Sequence, residues 1–210
     1  MLRVVIADDH PVVLKGLKEI LSEGFDKVLL DETTTGYELL QNVQKNQYDL
    51  VLLDISLPDI NGLEVLKEIK KKKPKLPVLI ISMYPEEQYA LRAMKAGAQG
   101  YLTKRSASDE LVLAVRKILS GKRYISPAFA EKMLYDFESN AEKPPHERLS
   151  DRELQVLGMI GGGKAVNQIA EELHVSANTV RTYRTRILEK IGVKGTSELI
   201  HYAVTHSLAE

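Results

Sequence analysis

The sequence predicts an α/β domain built on a parallel sheet, followed by a smaller all-α domain. Three observations predict it. Five short runs rich in Val, Ile and Leu (RVVIA, KVLLD, DLVLLD, PVLIIS and GYLT) recur between residue 1 and about residue 120. Helical periods alternate with them. Past residue 121 the strand-like runs stop and only helical patterns remain. The runs read as strands buried on both faces, since a strand with one wet face would alternate apolar and polar residues.

The elements follow in order. Val13, Leu17, Ile20 and Leu21 stand at i, i+4, i+7 and i+8, with Pro11 suited to the first helical turn. Leu111, Val115, Ile118 and Leu119 repeat that spacing behind a capping-box candidate at Ser106 and Asp109. The run KKKKPK ends a helix before Pro74, where cations suit the helix dipole, and reads as a solvated surface. Five strands alternating with five helices imply right-handed crossovers and the flavodoxin-like strand order 2-1-3-4-5. SPAFAEKMLYDF predicts one further helix, and ESNAEKPPHER reads as a linker. LSDRELQVLGMI, VNQIAEEL, SANTVRTYRTRILEKI and TSELIHYAV predict four short helices. Ser150 with Glu153 forms a capping box, Ser176 is an N-cap, and the glycines at 161–163 end the first of the four. The predicted division is 1–121, a linker with a helix over 122–147, and 148–210.

Composition narrows the function. Cysteine is absent. That excludes a disulfide scaffold, a thiolate nucleophile and a Cys-ligated metal, and fits a reducing compartment. No apolar run approaches the roughly 20 residues of a membrane span, and MLRVVIADD meets charge too early for a signal peptide. The expectation is a cytoplasmic protein with no membrane partner. Net charge is zero, against a wholly basic nucleic-acid binder. Its distribution says more. Residues 178–194 hold five basic residues against Glu189, a net of +4, while 125–147 carry a net of −3. A basic stripe behind an acidic connector points to a local anion-binding surface.

Ligands of an open parallel sheet sit beyond the carboxyl ends of its strands, where strand order reverses. Asp8 and Asp9 close the first strand and Asp54 closes the third, and these strands are neighbours in the predicted order. Three carboxylates cannot remain charged and unpaired in a partly dry pocket. A hard divalent cation resolves the repulsion, and oxygen-only ligation suits Mg²⁺. Ser82 closes the fourth strand and Lys104 follows the fifth. A hydroxyl and an ammonium beside a metal-bound carboxylate make a phosphoryl-binding constellation, with Asp54 the candidate nucleophile for an acyl phosphate. Singly, an acidic pair is a turn, a terminal serine is structural and a lysine is solvated. Together at the right strand ends, these five residues outweigh that reading. His10, followed by Pro11, reads as shaping the loop.

In IAEELHVSANTVRTYRTRILEKI, Ile169, Ala170 and Leu173 face inward, a turn follows at His174–Ser176, and a basic helix comes next. On that helix Val180, Ile187 and Ile191 share a face with Tyr183 at its edge, and Arg181, Thr182, Thr185, Arg186 and Glu189 point away. Arginine and threonine on a free helix face suit base-edge and phosphate contacts in the major groove of double-stranded DNA. Arg184 and Lys190 are flanking phosphate candidates. The competing reading is an amphipathic surface helix with solvated arginines. His174 and His201 lack partners at metal spacing and read as structural.

VVIADDHPVV, DLVLLDISLPDINGLEVL, VLIISMY, AMKAGAQGYLTK and LSDRELQVL with NQIAEELHVSANTVRTYRTRILEKIGV resemble two-component response regulators of the NarL/FixJ class, a receiver domain joined to a LuxR-type helix-turn-helix. The resemblance covers essentially the whole chain. It implies that Asp54 accepts phosphate from a sensor histidine kinase. It implies that Asp8, Asp9, Asp54 and the Ser56 backbone carbonyl serve Mg²⁺, that Ser82 and Tyr101 are the switch hydroxyl and switch aromatic, and that Lys104 contacts the phosphoryl group. Ser82 would move toward that group and Tyr101 would turn inward behind it. The chain departs from the family pattern at Arg105, where many receivers have proline, and at Tyr183, where many relatives have histidine.

The expected function is a phosphorylation-controlled, DNA-binding transcription regulator that catalyses only its own phosphoryl transfer and dephosphorylation. It would act as a phosphorylation-dependent homodimer, with RNA polymerase a further candidate partner. Two rivals stand: a Mg²⁺-dependent aspartyl-phosphate phosphatase, disfavoured by Ser56 where such enzymes carry a second Asp, and a constitutive DNA-binding protein with a small-molecule-sensing domain.

Overall fold

A computed structural model describes residues 1–138 and 144–209, leaving out the side chains of 132 and 135–138. The predicted linker therefore lies partly outside the described residues, at 139–143. The chain divides into two compact units, Met1–Ser139 and Asn140–Glu210.

In the first unit β1 (Leu2–Ala7), α1 (Pro11–Gly24), β2 (Val28–Thr33), α2 (Gly36–Lys45), β3 (Leu50–Leu53), α3 (Gly62–Lys72), β4 (Val78–Ser82), α4 (Glu86–Lys95), β5 (Gly100–Thr103) and α5 (Ala107–Leu119) alternate, and α6 (Pro127–Glu138) follows. All strand pairs are parallel and the order is β2-β1-β3-β4-β5. Because side chains alternate across a strand, each strand feeds two cores. Val4, Ile6, Leu50, Leu52, Leu79, Ile81 and Leu102 pack against Leu14, Leu17 and Leu21 of α1 and Leu111, Ala114, Val115 and Ile118 of α5. The intervening Val5, Val51, Leu53 and Ile80 are fully buried as well. That double burial is why β1, β3, β4 and β5 read as continuous apolar runs; the edge strand β2 departs from the expectation, with Leu29 45% exposed and only Thr33 buried.

Helix starts are fixed by side chains. Pro11 stands at the first position of α1 behind His10. Thr35 caps α2 by accepting from the Glu38 amide, and Asp59 accepts from the Gly36 and Tyr37 amides, 2.8 Å each. Asn61 caps α3. The expected capping box at Ser106 and Asp109 does not form. Ser106 has helical backbone angles and no side-chain cap, and its hydroxyl turns back to the Thr103 carbonyl at 3.2 Å. Nor is the lysine run uniformly solvated. Lys70 Nζ donates to the Leu76 carbonyl and to Gln99 Oε1, and its half-burial lowers its pKa to about 8. Lys73 Nζ donates to the Asn46 carbonyl at 2.8 Å.

The second unit holds a 3-10 turn at Pro145–Arg148, unforeseen within the linker reading, then α7 (Asp151–Gly161), α8 (Val166–Glu172), α9 (Ala177–Ile191) and α10 (Thr196–Thr205). The turn is tied to α10 by His146 Nδ1 and the Tyr202 hydroxyl, 2.9 Å apart. The Ser150–Glu153 capping box starts α7, and Ser176 caps α9 through the Thr179 amide. Gly192 closes α9 at φ +83°, a backbone conformation glycine reaches without steric cost. Leu154, Leu157, Ile169, Leu173, Val180, Ile187, Ile191 and Leu199 are all buried. Among the described residues no helix is long and apolar enough to cross a membrane.

Candidate functional site: an acidic pocket and a basic helix

Register brings the acids together. Ala7 pairs with Leu53, so β1 and β3 end side by side, and the next residues are Asp8 and Asp54. The Asp54 amide donates to the Ala7 carbonyl at 2.9 Å and the Asp8 amide to Thr33 at 3.1 Å. The chain then turns sharply back toward Asp54. A Cβ on Gly62 would lie 2.1 Å from the Asp54 carbonyl oxygen, so only glycine fits there.

Asp8 and Asp54 are 1% and 2% exposed. Lys104 reaches between them, its Nζ 2.6 Å from Asp8 Oδ2 and 2.7 Å from Asp54 Oδ2. The ammonium is the counter-charge the buried carboxylates require. Burial pushes the Asp54 carboxyl above the usual carboxylate range, with Asp8 adding to the rise and Lys104 and the Ser56 amide opposing it. On Lys104 burial pulls downward, but the two carboxylates outweigh it and hold the ammonium protonated. Asp54 Oδ1 is buried and makes no hydrogen bond, while Asp9 Oδ1 is paired with His10 Nδ1 at 2.7 Å. A buried carboxylate oxygen without a hydrogen-bond partner, set among acids, suits a cation ligand.

Ligand atoms of Asp8, Asp9, His10 and Asp54 all lie within 4.8 Å of one another. The sequence reading of His10 as shaping the loop did not include this closeness to the acids. Its signal was adjacency to the acidic pair, and the turn that lets its amide donate to Asp8 Oδ1 at 2.9 Å swings its ring toward them.

Ser82 and Tyr101 are both fully buried. The Ser82 hydroxyl accepts from the Tyr84 amide at 3.3 Å, and the Tyr101 hydroxyl donates to the Tyr84 carbonyl at 2.9 Å. Burial raises the Tyr101 phenol well above its ordinary pKa, while the Ser82 hydroxyl hydrogen-bonded to it acts the other way. The Tyr101 ring lies inside, where the Tyr84 carbonyl gives its hydroxyl a partner.

On α9 the burial follows the expected face. Val180, Ile187 and Ile191 are buried, and Arg181, Thr182, Thr185, Arg186 and Glu189 are exposed. The threonine hydroxyls donate back to carbonyls four residues earlier, at Asn178 and Arg181. Arg184 Nε donates to Thr196 Oγ1 at 3.0 Å. Lys190 Nζ lies 2.6 Å from Glu153 Oε2, so the phosphate contact expected of Lys190 would require that ion pair to open.

Residues 4–116 match the response regulator receiver domain, and residues 147–203 match the luxR family of bacterial regulatory proteins. The chain is 36% identical over 209 residues to the response regulator UvrY of Escherichia coli K12, covering 99% of this chain and 96% of that protein. It is 34% identical over 211 residues to the response regulator GacA of Pseudomonas viridiflava, covering 100% and 99%. Among solved structures it resembles RcsB of Salmonella enterica serovar Typhimurium, bound to a promoter in the presence of the phosphomimetic BeF3−. That likeness has a TM-score of 0.60 at 25% identity and covers 98% of each chain.

Proposed function

Because the chain belongs to the response regulators that join a receiver domain to a luxR-family DNA-binding domain, we propose that Asp54 is the phosphoacceptor through which a sensor histidine kinase controls it. The protein is a phosphorylation-regulated, DNA-binding transcription regulator, and its family is one of regulators rather than classical enzymes. The observation that carries the assignment to Asp54 is its buried, partnerless Oδ1 beside Asp8, Asp9 and Lys104.

The residues fit a divalent cation, and Mg²⁺ suits the carboxylate oxygens. Asp9, Asp54 and the Ser56 carbonyl would hold it, with Asp8 through water. When bound, it neutralises charge on the phosphoryl oxygens and orients the transferring group. The other work falls to the chain. Asp54 Oδ1 attacks phosphorus as the kinase histidine leaves. Lys104 releases Asp54 and holds a phosphoryl oxygen, and the Ser82 hydroxyl donates to another. Transfer adds about −1.5 to −2 charge beside Asp8, which biases the β4–β5 edge.

In the second unit Arg181, Thr182, Thr185 and Arg186 would read or grip DNA, with Arg184 in reach of a flanking phosphate and Lys190 joining it only if its ion pair with Glu153 opens. A two-fold dimer would span half-sites about one helical turn apart. Phosphorylation would favour that dimer and free α9, with RNA polymerase a further partner at the promoter. We place the receiver over 1–121, the linker over 122–147 and the DNA-binding domain over 148–210, in a cytoplasmic protein.

Incubation with Mg²⁺ and acetyl phosphate, followed by intact mass, tests the assignment. A stable one-phosphoryl adduct, absent from Asp54→Asn, is expected. Acetyl phosphate hydrolysed without an adduct would favour a phosphatase, and no reaction at all would favour a ligand sensor.

A further inference from the structure

Lys70, in the last turn of α3, differs from the lysines that follow it. Its Nζ donates to the Leu76 carbonyl and to Gln99 Oε1, the latter at 2.8 Å. Its stem lies over Gly97, where a Cβ would come within 3.1 Å of the lysine Cγ. Gly97 holds φ +102°, so any other residue there is strained as well as crowded. This cradle is shaped to the lysine, yet it supplies no counter-charge. Both acceptors are neutral carbonyl oxygens, and among the described residues Lys70 has no ion pair. Leu76, Gly97 and Gln99, which touch it from outside α3, are uncharged. On its own helix the same-face neighbours Lys67 and Lys73 are cations, and Glu68, two residues away, faces elsewhere. Burial without a counter-charge therefore brings its pKa down to about 8. A neutral amine has two N–H groups and one lone pair. The two acceptors hold both N–H groups, which leaves the lone pair free, and the residue stays half-exposed.

We propose that Lys70 is a nucleophilic amine and a modification site, acylated by a small activated acyl donor, an acyl phosphate or an acyl thioester. The Nζ lone pair forms the new bond to the acyl carbon. The bond from that carbon to phosphate oxygen or to sulfur breaks with its electron pair, and the departing phosphate or thiolate takes the proton that nitrogen loses. No oxidant, metal or aspartate takes part, so the reaction is independent of Asp54. The product fits the cradle. An acylated Nζ keeps one N–H, enough for the Leu76 carbonyl, while Gln99 Oε1 still accepts from the Val78 amide at 2.9 Å. What is lost is a positive charge and the tie from α3 to Gln99. The Gln99 carbonyl in turn accepts from the Tyr124 amide at 2.8 Å, in the segment that follows α5. Acylation therefore loosens the receiver where the chain returns along β5. The alternative is a purely structural Lys70, protonated and closed to reagents, which would make it the slowest lysine of its run.

The full chain is treated with limiting acetyl phosphate, and separately with limiting acetyl-CoA, with a chelator present, and each lysine is followed by peptide mapping. The exposed Lys71 and Lys72 are internal standards. At about pH 7.5 roughly a quarter of an amine with a pKa of about 8 is neutral, against about one in a thousand of an ordinary lysine near 10.4. A less basic nucleophile is also intrinsically slower, so the expected lead of Lys70 is at least about tenfold rather than the full ratio. Its rate should level off above about pH 8.5, while those of Lys71 and Lys72 keep rising. In denaturant the lead should vanish, and Lys70→Arg should lose the fast acetylation and nothing else. The arm that shows the lead identifies the donor. If Lys70 leads in neither arm, if its rate still climbs with those of Lys71 and Lys72, or if the lead survives in denaturant, the inference is overturned. The native and unfolded wild-type chains decide this even if Lys70→Arg folds poorly.

Discussion

The acidic pocket and the outer face of α9 handle charge in opposite ways. In the pocket Asp8, Asp54 and Lys104 are nearly inaccessible, and each carboxylate has the ammonium within 2.7 Å. On α9 Arg181 and Arg186 are exposed, and among the described residues their side chains make no hydrogen bond or ion pair. A site that must hold charge inside a packed domain has to supply its own counter-charge, because an unpaired buried ion costs several kcal/mol. A surface that recognises an external polyanion must leave its charges unsatisfied until the partner arrives. The charges of the pocket are therefore paired within it, apart from the orphaned Asp54 Oδ1, and those of the helix face are not.

The hardest test of that contrast is Lys104→Ala. It would leave Asp8 and Asp54 facing each other with no cation, and breaking a buried pair in this way costs about 3–5 kcal/mol. Denaturant unfolding with a chelator present should show a loss of that size, largely recovered by millimolar Mg²⁺ or Mn²⁺, while Arg181→Ala leaves stability unchanged. If Lys104→Ala unfolds at the same denaturant concentration with or without metal, the pocket does not depend on its counter-charge.

That difference also decided how much could be read in advance. The acids, Ser82 and Lys104 were legible because a parallel sheet sends every strand end to one edge, so position in sequence became position in space. The bridge made by Lys104 was not legible. It depends on a side chain spanning 50 residues of sequence to Asp54. Nor was the bond from the Tyr101 hydroxyl legible, since nothing local announces that the Tyr84 carbonyl will accept it. Ser106 failed as a cap because Thr103 competes for its hydroxyl across the β5–α5 turn. On α9 the 3.6-residue period gave the face, but period says nothing of Lys190, whose partner Glu153 comes from α7.

On the exposed side, Arg181→Ala tests whether an unsatisfied arginine reads sequence. If it makes a bidentate pair with guanine, affinity for the specific site should fall by about 1–3 kcal/mol, with preference relaxed at one position per half-site. Fluorescence anisotropy against single-base variants of the operator checks this. An equal loss on every duplex would reduce Arg181 to a phosphate contact.

A smaller effect is expected where the first unit hands its signal to the chain that leaves it. The Tyr101 amide donates to the Tyr124 carbonyl at 3.1 Å, and the Tyr124 amide donates to Gln99 at 2.8 Å. The returning segment is thus stitched to the free edge of β5. Ser126 then bonds Glu86 through both its amide and its hydroxyl, and caps α6 at Phe129. Glu86 opens α4, two residues beyond the Tyr84 carbonyl that holds Tyr101. A shift of Tyr101 or α4 is therefore felt at the first turn of α6. Glu86→Gln or Ser126→Ala should leave phosphorylation intact and lower the phosphorylation-dependent gain in DNA affinity by about 0.5–2 kcal/mol. An unchanged gain in both variants means that the signal leaves the unit by another route.

The smallest effect expected is at Lys190, which sits on the border between the two regimes. Its side chain is 39% exposed, and that of its partner Glu153 is 3% exposed. Burial raises the Glu153 carboxyl, but Lys190 and the Ser150 amide and hydroxyl outweigh it and hold the pKa below the ordinary 4.5. A carboxyl lowered by folding adds stability that is present above pH 4.5 and lost as pH falls through the depressed folded value. Removing Lys190 should therefore weaken the second unit slightly at neutral pH, by about 0.5–1 kcal/mol given its exposure, and flatten its loss of stability on acidification. The DNA assay separates the two roles. Each DNA phosphate that Lys190 ceases to neutralise lowers the salt slope by about one. An ammonium held by Glu153 leaves that slope where it was. We expect Lys190→Ala to lower stability at neutral pH and flatten the acid-dependent loss, with no change in salt slope. A reduced slope with unaltered stability would return Lys190 to the DNA-facing set and show that the ion pair opens on binding.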